Sequence, residues 1–333
     1  MIVSHCGTCK AIENSVPVTA PGVFHLAIPT RIEPTVTPFG FLCCNNPPGM
    51  TSRDVVNVVQ RRLPRKTKVG HAGTLDPLAQ GVLVLGVGPA VRLVPYIQQQ
   101  PKHYQATFRI GSSSISGDLE GEITEFPDLP IPTRDQLTAA AQKLTGEIEQ
   151  VPPAHSAIWV DGQRAYRRIR AGEDFEMPSR KVQIDHLEIT RYDFPEIDLN
   201  IICGSGTYIR TLGIDLAVAT ESTAVMSFLS RIGVGPFLLN NSVSIDALKE
   251  DDLEQHLLPV SLAVQHLPCL QIDDEETTHL GHGVCLDQVD LSKTPNNSTE
   301  MTEIAAVTQD GQLRAILRLK RGQWCPYRVF PIN

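Results

Sequence analysis

The sequence predicts an α+β protein in which helices and strands mix without regular βαβ alternation. Residues 102–111 alternate between apolar and polar side chains, which is the pattern of a half-buried strand. Residues 133–146 have the threonine start, the Ala/Leu-rich interior and the terminal glycine of a helix. Short apolar segments separated by acidic loops follow residue 256 and predict a small β-rich C-terminal domain. This order favours α+β over a doubly wound parallel sheet.

Length and composition place the chain among ordinary folded proteins, with one large domain and a smaller one. It has 333 residues, of which 41% are hydrophobic and 20% charged. The net charge of −8 argues against a nucleic-acid binder, because phosphate neutralisation draws on an excess of lysine and arginine. Basic residues nevertheless cluster at 53–68 and 164–170. Each cluster alone is typical of a solvated helix face, but two such clusters in an acidic chain keep RNA as a candidate partner.

The cysteine pattern and the hydropathy of the sequence bear on the cellular location of the protein and on whether it binds a metal. Eight scattered cysteines do not form a secreted disulfide framework, so a reducing cytoplasm is expected. Cys6 and Cys9 have metal-knuckle spacing, but no second pair follows at finger spacing, and no metal site is predicted. The sequence lacks a run of about 18 apolar residues and a basic-then-apolar N-terminus, so neither membrane insertion nor export is expected.

The first half of the chain begins with an extension. Residues 1–38 are rich in Pro, Thr and Val without a period, which indicates a flexible extension or a start codon assigned too far upstream. Globular patterning begins at Phe39 and turns through residues 46–49. A helix should then start at Thr51 or Ser52, whose hydroxyl groups suit an N-cap, and bury the valines that follow.

The strand at 102–111 places Tyr104 on its apolar side, where a tyrosine is by default a core residue with a paired hydroxyl. Strands are predicted at 181–191 and 197–203, followed by a helix from Thr207 to about Ala219. Asp310-Gly311 indicates a hairpin turn between 304–307 and 313–319 in the C-terminal region.

Two glycine-rich segments could carry chemistry. Residues 68–81 hold three glycines, His71 and Asp76 in one tight stretch, and glycines at that density let the backbone approach a ligand. The alternative is that Asp76 merely caps a short helix that begins at Pro77. The second segment, 204–206, leads into a helix N-terminus that could contact a phosphate, or it is an ordinary tight turn.

The stretch from Gly70 to Leu83 resembles the catalytic motif of the TruB family of tRNA pseudouridine synthases, and further blocks follow in that family's order. These blocks are Pro47–Ser52, Lys102–Tyr104, Gly117–Gly121, Gln150–Pro153 with Ser156–Ile158, Gly206–Arg210 and Leu229–Arg231. The resemblance covers residues 40 to 240. It implies isomerisation of one uridine in the T-arm of tRNA to pseudouridine.

The resemblance also implies roles for individual residues. Asp76 is expected to be the nucleophilic or electrostatic carboxylate and Arg210 its partner. Tyr104 is expected to stack on the flipped base and to assist proton removal at C5. Positions expected to bind substrate are Gly70, His71, Thr74, Tyr208 and Leu229. One carboxylate kept ionised by a guanidinium suits a C-glycoside-forming isomerisation, and no metal, redox or organic cofactor is required.

Some positions depart from the family's pattern. Asn46 and Ser205 stand where lysines are usual, so each removes a possible phosphate contact, and Ser114 and Ser116 replace threonines. The matched catalytic positions are intact.

The resemblance implies a pseudouridine synthase core with a central mixed, mostly antiparallel sheet and flanking helices at 39–256, and a PUA-like RNA-binding domain at 257–333. Basic residues at 314–328 would suit contacts with the tRNA elbow, opposed only by Asp310. A merely stabilising β domain is the alternative.

The expected partner is the tRNA T-arm stem-loop, bound by a monomer that needs no protein partner and no membrane. One rival is a catalytically silent RNA-binding or tRNA-folding protein, against which the presence of Asp76 and Arg210 argues. Another is a family member that acts on a different RNA, such as the guide-dependent branch. The lack of a strongly basic tail favours stand-alone action on tRNA.

Overall fold

A computed structural model describes residues 39–153, 159–160, 163–164, 168, 177–286 and 302–331. These residues belong to one compact unit, so the domain boundary expected after residue 256 stays a prediction. The N-terminal extension, with Cys6 and Cys9, lies outside the described residues, as does most of the basic cluster at 164–170.

The strands of the described ranges are β1 (Gly40–Asn46), β2 (Val69–His71), β3 (Gln80–Val87), β4 (Lys102–Ile110), β5 (Ser112–Ser114), β6 (Ile123–Glu125), β7 (Gly146–Gln150), β8 (Trp159–Val160), β9 (Gln163–Arg164), β10 (Arg180–Asp193), β11 (Glu196–Cys203), β12 (Ala224–Val234), β13 (Phe237–Leu238), β14 (Val243–Ser244), β15 (Cys269–Gln271), β16 (Glu303–Val307), β17 (Leu313–Lys320) and β18 (Gln323–Val329). The α-helices are α1 (Ser52–Arg62), α2 (Val94–Gln99), α3 (Arg134–Lys143), α4 (Ile209–Val218), α5 (Ile245–Glu250) and α6 (Asp274–Gly281). Short 3-10 turns connect some of them.

A large mixed sheet forms the centre of the fold. Its strand order is β14-β1-β3-β12-β4-β11-β10-β7, with β2 added beside β3 and β13 beside β12. Only β1–β14 and β3–β12 are parallel among the described pairs of this sheet. The mixed, mostly antiparallel sheet implied by the family resemblance is therefore confirmed. Insertion of β12 between β3 and β4 brings chain segments distant in sequence to one end of the sheet.

Local signals explain where the helices begin. Thr51 caps α1 in a capping box with Asp54, and the helix buries Val55, Val56 and Val59 as predicted. Thr133 caps α3 in the same way. The end predicted for α3, at residue 146, is wrong, because the helix stops at Lys143.

Strand β4 runs through the middle of the sheet, and the predicted alternation is confirmed. Ala106, Phe108 and Ile110 are buried, as is most of Lys102 at the start of the strand. Helix α4 packs against this face at very short range. A Cβ added to Gly213 would lie 2.1 Å from the Phe108 ring, so only glycine lets α4 approach so closely.

The C-terminal region is β-rich, as predicted, with strand order β15-β16-β17-β18 and a turn at Asp310-Gly311 between β16 and β17. A disulfide joins Cys285, after α6, to Cys325 on β18. The expectation that only Asp310 opposes the basic residues here is wrong, because Arg318 pairs with Glu303 at 2.6 Å. The likeness to a PUA domain stays a prediction.

The C-terminal sheet shares a hydrophobic cluster with the central sheet. Phe330, Ile316 and Val307 pack in this cluster with Phe41 and Val84. No helix in the described ranges has the length and apolar content needed to cross a membrane.

Candidate active site

Asp76 lies in the loop that joins β2 to β3. Helix α1 holds this loop, because the Ser52 hydroxyl accepts a hydrogen bond of 2.9 Å from the Leu75 amide. The Leu75 side chain is buried in the core, and the Ala79 amide donates to the Asp76 carbonyl at 2.9 Å. A turn rather than a helix follows Asp76, so the alternative that Asp76 caps a short helix is wrong.

Arg231, at the end of β12 nearest the loop, supports the loop from inside. Its buried guanidinium donates to the backbone carbonyls of Val82 at 2.7 Å and Gly73 at 3.1 Å. The backbone at Gly81 approaches Arg231 so closely that an added Cβ would lie 2.3 Å from the Arg231 carbonyl oxygen. Gly81 also has φ +103°, so both conformation and space require glycine there.

The side chain of Arg210, in the first turn of α4, meets Asp76 directly. Its Nη2 donates to Asp76 Oδ2 at 2.9 Å, and its Nη1 donates to the Ser116 carbonyl at 2.7 Å. The Arg210 side chain is only 7% exposed, whereas that of Asp76 is 46% exposed. Arg210 thus fixes one carboxylate oxygen of Asp76 while that carboxylate still faces open space.

A second carboxylate, from Asp118, holds Arg210 from the other side. Asp118 is 3% exposed, and its Oδ2 accepts from Arg210 Nη1 at 3.1 Å. Its Oδ1 accepts from the Ser116 hydroxyl at 2.6 Å and from the Glu120 amide at 3.1 Å. Because Asp118 makes these further bonds, it positions the guanidinium that faces Asp76.

Gln150 anchors the N-terminus of α4 beside this network. Its amide oxygen accepts from the Tyr208 backbone amide at 2.7 Å, and its amide nitrogen donates to the Tyr208 carbonyl at 3.1 Å. Arg180 lies over the Tyr208 ring, 4.8 Å from its centroid. The glycine-rich turn at 204–206 therefore leads into a helix start that side chains hold in place.

Tyr104 lies opposite Arg231 in the pairing of β4 with β12 and opposite Ile201 on β11. Burial raises the pKa of the Tyr104 hydroxyl above its ordinary value of 10, and Arg231 opposes that rise. The hydroxyl is consequently protonated at neutral pH and can donate a hydrogen bond.

A cleft of about 390 Å³ opens in front of these groups. Its walls include five residues predicted from the sequence to act or bind, namely Asp76, Tyr104, Arg210, Thr74 and Tyr208. The remaining lining residues include Gln98, Lys102, Arg180 and Arg231. The structure thus brings the three predicted catalytic residues together with two of the predicted substrate-binding residues.

The other three predicted residues lie outside this cleft. Gly70 and His71 are on β2, and Leu229 is buried in the hydrophobic core. Burial lowers the pKa of His71 below 6.5, and the charges of Arg231 and Arg53 lower it further. His71 is therefore neutral at pH 7. The substrate-binding roles of Gly70, His71 and Leu229 stay predictions.

Comparison with known proteins gives the family. Residues 61–209 match the TruB family pseudouridylate synthase (N terminal domain). The tRNA pseudouridine synthase B of Rhodopirellula baltica is 41% identical over 335 residues, which cover 89% of this chain and 95% of that protein. The chain belongs to the TruB family. A TruB-family relative from Synechocystis, also a tRNA pseudouridine synthase B, is 42% identical over 76% of this chain and 87% of its own length.

A solved structure supports the TruB-family fold. A crystal structure of a Cbf5-Nop10-Gar1 complex has a TM-score of 0.67 and 23% sequence identity, and the match covers 88% of this chain and 84% of that chain. The pseudouridine synthase fold is therefore shown independently of close sequence similarity.

Sequence reasoning missed several residues of this TruB-family site. Asp118, Lys102 and Arg231 lie in blocks that carry the resemblance, but nothing local indicated which side chains face the cleft. Arg180 had no signal at all, because it is one basic residue at the start of a strand. Within the described ranges, no group of three or more His, Cys, Asp or Glu side chains could hold a metal ion.

Proposed function

We propose that this chain is a tRNA pseudouridine synthase that isomerises the uridine of the T-arm. The observation that carries the proposal is the Asp76 carboxylate, held at 2.9 Å by the buried Arg210 and facing a cleft that Tyr104 also lines. The relatives from Rhodopirellula baltica and Synechocystis are named tRNA pseudouridine synthase B.

The reaction exchanges one glycosidic bond for another. The C1′–N1 bond breaks, the uracil turns within the cleft, and a C1′–C5 bond forms. C5 then loses a proton and N1 gains one, so atoms and electrons balance without an oxidant, a reductant or a cofactor. Asp76 acts as the nucleophile or as the electrostatic partner of the substrate during this exchange, and the hydrogen bond from Arg210 orients its carboxylate.

The target base must leave its loop to reach Asp76. A uridine in a folded RNA loop is inaccessible in its stack, so it flips out, and an aromatic platform offsets the lost stacking. Tyr104 supplies that platform and has its hydroxyl protonated at neutral pH. Its proposed second role is to assist transfer of the C5 proton, which requires the hydroxyl to exchange protons with the substrate.

We place the activity in the cytoplasm and in a monomer that needs no protein partner, with the T-arm stem-loop as substrate. The solved Cbf5 complex contains Nop10 and Gar1, so self-sufficiency requires its own test. Light scattering and activity of the purified chain alone provide that test, and inactivity that a partner protein relieves would contradict the proposal.

The first experiment maps pseudouridine in an unmodified tRNA transcript by carbodiimide-dependent primer-extension stops. Wild type, Asp76→Asn and the exposed-carboxylate control Glu120→Gln are compared. A T-loop stop with wild type and Glu120→Gln only, while Asp76→Asn still binds tRNA, is expected. No stop with any protein despite tRNA binding would favour a catalytically silent RNA-binding protein.

Two further measurements test substrate and base contact. Isolated T-arm stem-loops are expected to outcompete unrelated uridine hairpins, and equal modification of both would refute the T-arm assignment. Tyr104→Phe should bind better than Tyr104→Ala but react slowly, because stacking survives while the hydroxyl is lost. Equal rates for wild type and Tyr104→Phe would remove the proton-transfer role.

A further inference from the structure

Lys102 is a buried cation on the wall of the cleft without a carboxylate partner. It begins β4, two residues before Tyr104, and is only 8% exposed. Its ammonium donates to the Gln98 carbonyl at the end of α2. No carboxylate of the described residues forms an ion pair with it. A buried ammonium with so little compensation is unfavourable unless another group supplies negative charge.

Other cations lie around the same cleft. Arg180, at the start of β10, donates to the Gly206 carbonyl and makes no ion pair within the described part of the chain. Arg231 donates to the backbone carbonyls of Val82, Gly73 and Thr74, and it forms no ion pair with a carboxylate of the described residues. Asp76 is the one carboxylate of the described residues that lines the cleft, and Arg210 already pairs with it. The positive charge of Lys102, Arg180 and Arg231 therefore remains available to an anion that enters.

We propose that Lys102 binds a backbone phosphate of the RNA strand that enters the cleft. The inference rests on the proposed function, because the RNA strand that carries the target uridine is the anion that would enter. A phosphodiester oxygen would accept a charge-assisted hydrogen bond from the ammonium and supply the missing negative charge.

The surroundings of Lys102 give this contact a measurable signature. Burial lowers the pKa of Lys102 to about 8, with Arg231 on β12 lowering it further and Cys203 on β11 opposing the shift. Near pH 8 about half of the free protein therefore carries a neutral Lys102. A bound phosphate raises this pKa, so RNA binding should take up protons from the buffer at pH 8 and almost none at pH 6.

Neighbouring titratable groups do not produce the same signal. Burial raises the pKa of Cys203 to about 11 and raises that of Tyr104 above its ordinary value, so both stay protonated at pH 8. The pKa of His71 lies below 6.5, so that ring stays neutral at pH 8. Arg180, Arg210 and Arg231 keep their charge throughout this range, because guanidinium groups do not deprotonate in proteins.

The test is calorimetric titration of a T-arm stem-loop RNA into the full chain. Binding is measured at pH 6 and pH 8, each in two buffers of different ionisation enthalpy, so that the number of protons taken up is obtained directly. Wild type should take up about half a proton at pH 8. Lys102→Met should bind about 10- to 100-fold more weakly, take up no proton, and have a salt slope smaller by about 1.

Lys102→Arg separates phosphate binding from a purely structural role in capping α2. Arginine is always charged, so this variant should bind within about threefold of wild type while its proton uptake at pH 8 disappears. The exposed Lys143 provides a matched control, and Lys143→Met should keep both affinity and uptake. If Lys102→Met fails to fold, the uptake of wild type and of Lys102→Arg still decides the question.

Each outcome has a definite meaning when pseudouridine formation is measured on the same preparations. Product formation by wild type without uptake at pH 8, or with equal uptake by Lys102→Arg, would overturn the inference and leave the proposed function standing. RNA binding with Lys102-dependent uptake but no product would support the inference and overturn the proposed function. No RNA binding by wild type would overturn both.

Discussion

Asp118→Asn is expected to lower both the stability of the protein and the rate of the chemical step, although Asp118 lies behind Arg210 and outside the cleft. The Asp118 carboxylate accepts three hydrogen bonds, from the Ser116 hydroxyl, the Glu120 amide and Arg210 Nη1, at 2.6, 3.1 and 3.1 Å. An asparagine has one acceptor oxygen. If that oxygen keeps the first two bonds, its NH₂ group faces the guanidinium, and two donors meet.

The expected change in the free energy of unfolding follows from the hydrogen bonds that are lost. One charge-assisted hydrogen bond contributes about 1.5–3 kcal/mol, so Asp118→Asn should lower the free energy of unfolding by about that amount. Asp118→Ala removes every acceptor from a pair in which both residues are buried, and should lower the free energy of unfolding by about 3–5 kcal/mol. If the same loss frees Arg210 to turn from Asp76, the chemical step should slow about 10- to 100-fold.

The assay combines urea denaturation with single-turnover pseudouridine formation at saturating tRNA. Glu120→Gln is the matched control, because it neutralises an exposed carboxylate two residues away and should change stability by less than about 0.5 kcal/mol. Wild-type stability and rate in Asp118→Asn would refute the reasoning, and would mean that the Ser116 carbonyl and Asp76 suffice to hold Arg210.

Three further predictions test other parts of the fold. Gly81 and Gly146 have similar φ values, +103° and +105°, but only at Gly81 would an added Cβ meet backbone. In urea denaturation, Gly146→Ala should therefore lower the free energy of unfolding by about 1–2 kcal/mol and Gly81→Ala by clearly more. Equal losses of stability would contradict the close approach of backbone at Gly81. The folded-state pKa of His71 lies below 6.5, so the unfolded chain binds a proton first as the pH falls. The free energy of unfolding should therefore decrease from pH 7 down to the folded pKa, and His71→Asn should flatten that decrease. Parallel plots of unfolding free energy against pH for wild type and His71→Asn would contradict this prediction. Reduction of the Cys285–Cys325 disulfide, which spans 40 residues, should lower the free energy of unfolding by at most about 4 kcal/mol. Because Cys269 is an exposed free thiol, the check is peptide mapping after alkylation, and alkylated Cys285 and Cys325 in the native, unreduced protein would show that the bond is not formed.

Local features of the molecule could be predicted because each depends on neighbouring residues. The capping boxes at Thr51 and Thr133 require groups only three residues apart. The alternation along β4 and the turn at Asp310-Gly311 are likewise properties of short segments. The end of α3 was the exception, since the helix stops before the glycine that indicated its end. Asp76, Tyr104 and Arg210 came from the resemblance to a family and not from any local pattern.

The sequence by itself thus determined the fold class, the main helix starts and strands, and the motif that contains Asp76. Only the tertiary structure decided what surrounds that carboxylate. Arg210 meets Asp118 across 92 positions and Asp76 across 134, and the disulfide joins cysteines whose spacing carried no signal. The physical reason is strand order: β12 lies between β3 and β4, and the contacts of Arg231, Lys102 and Arg210 depend on which strands become neighbours.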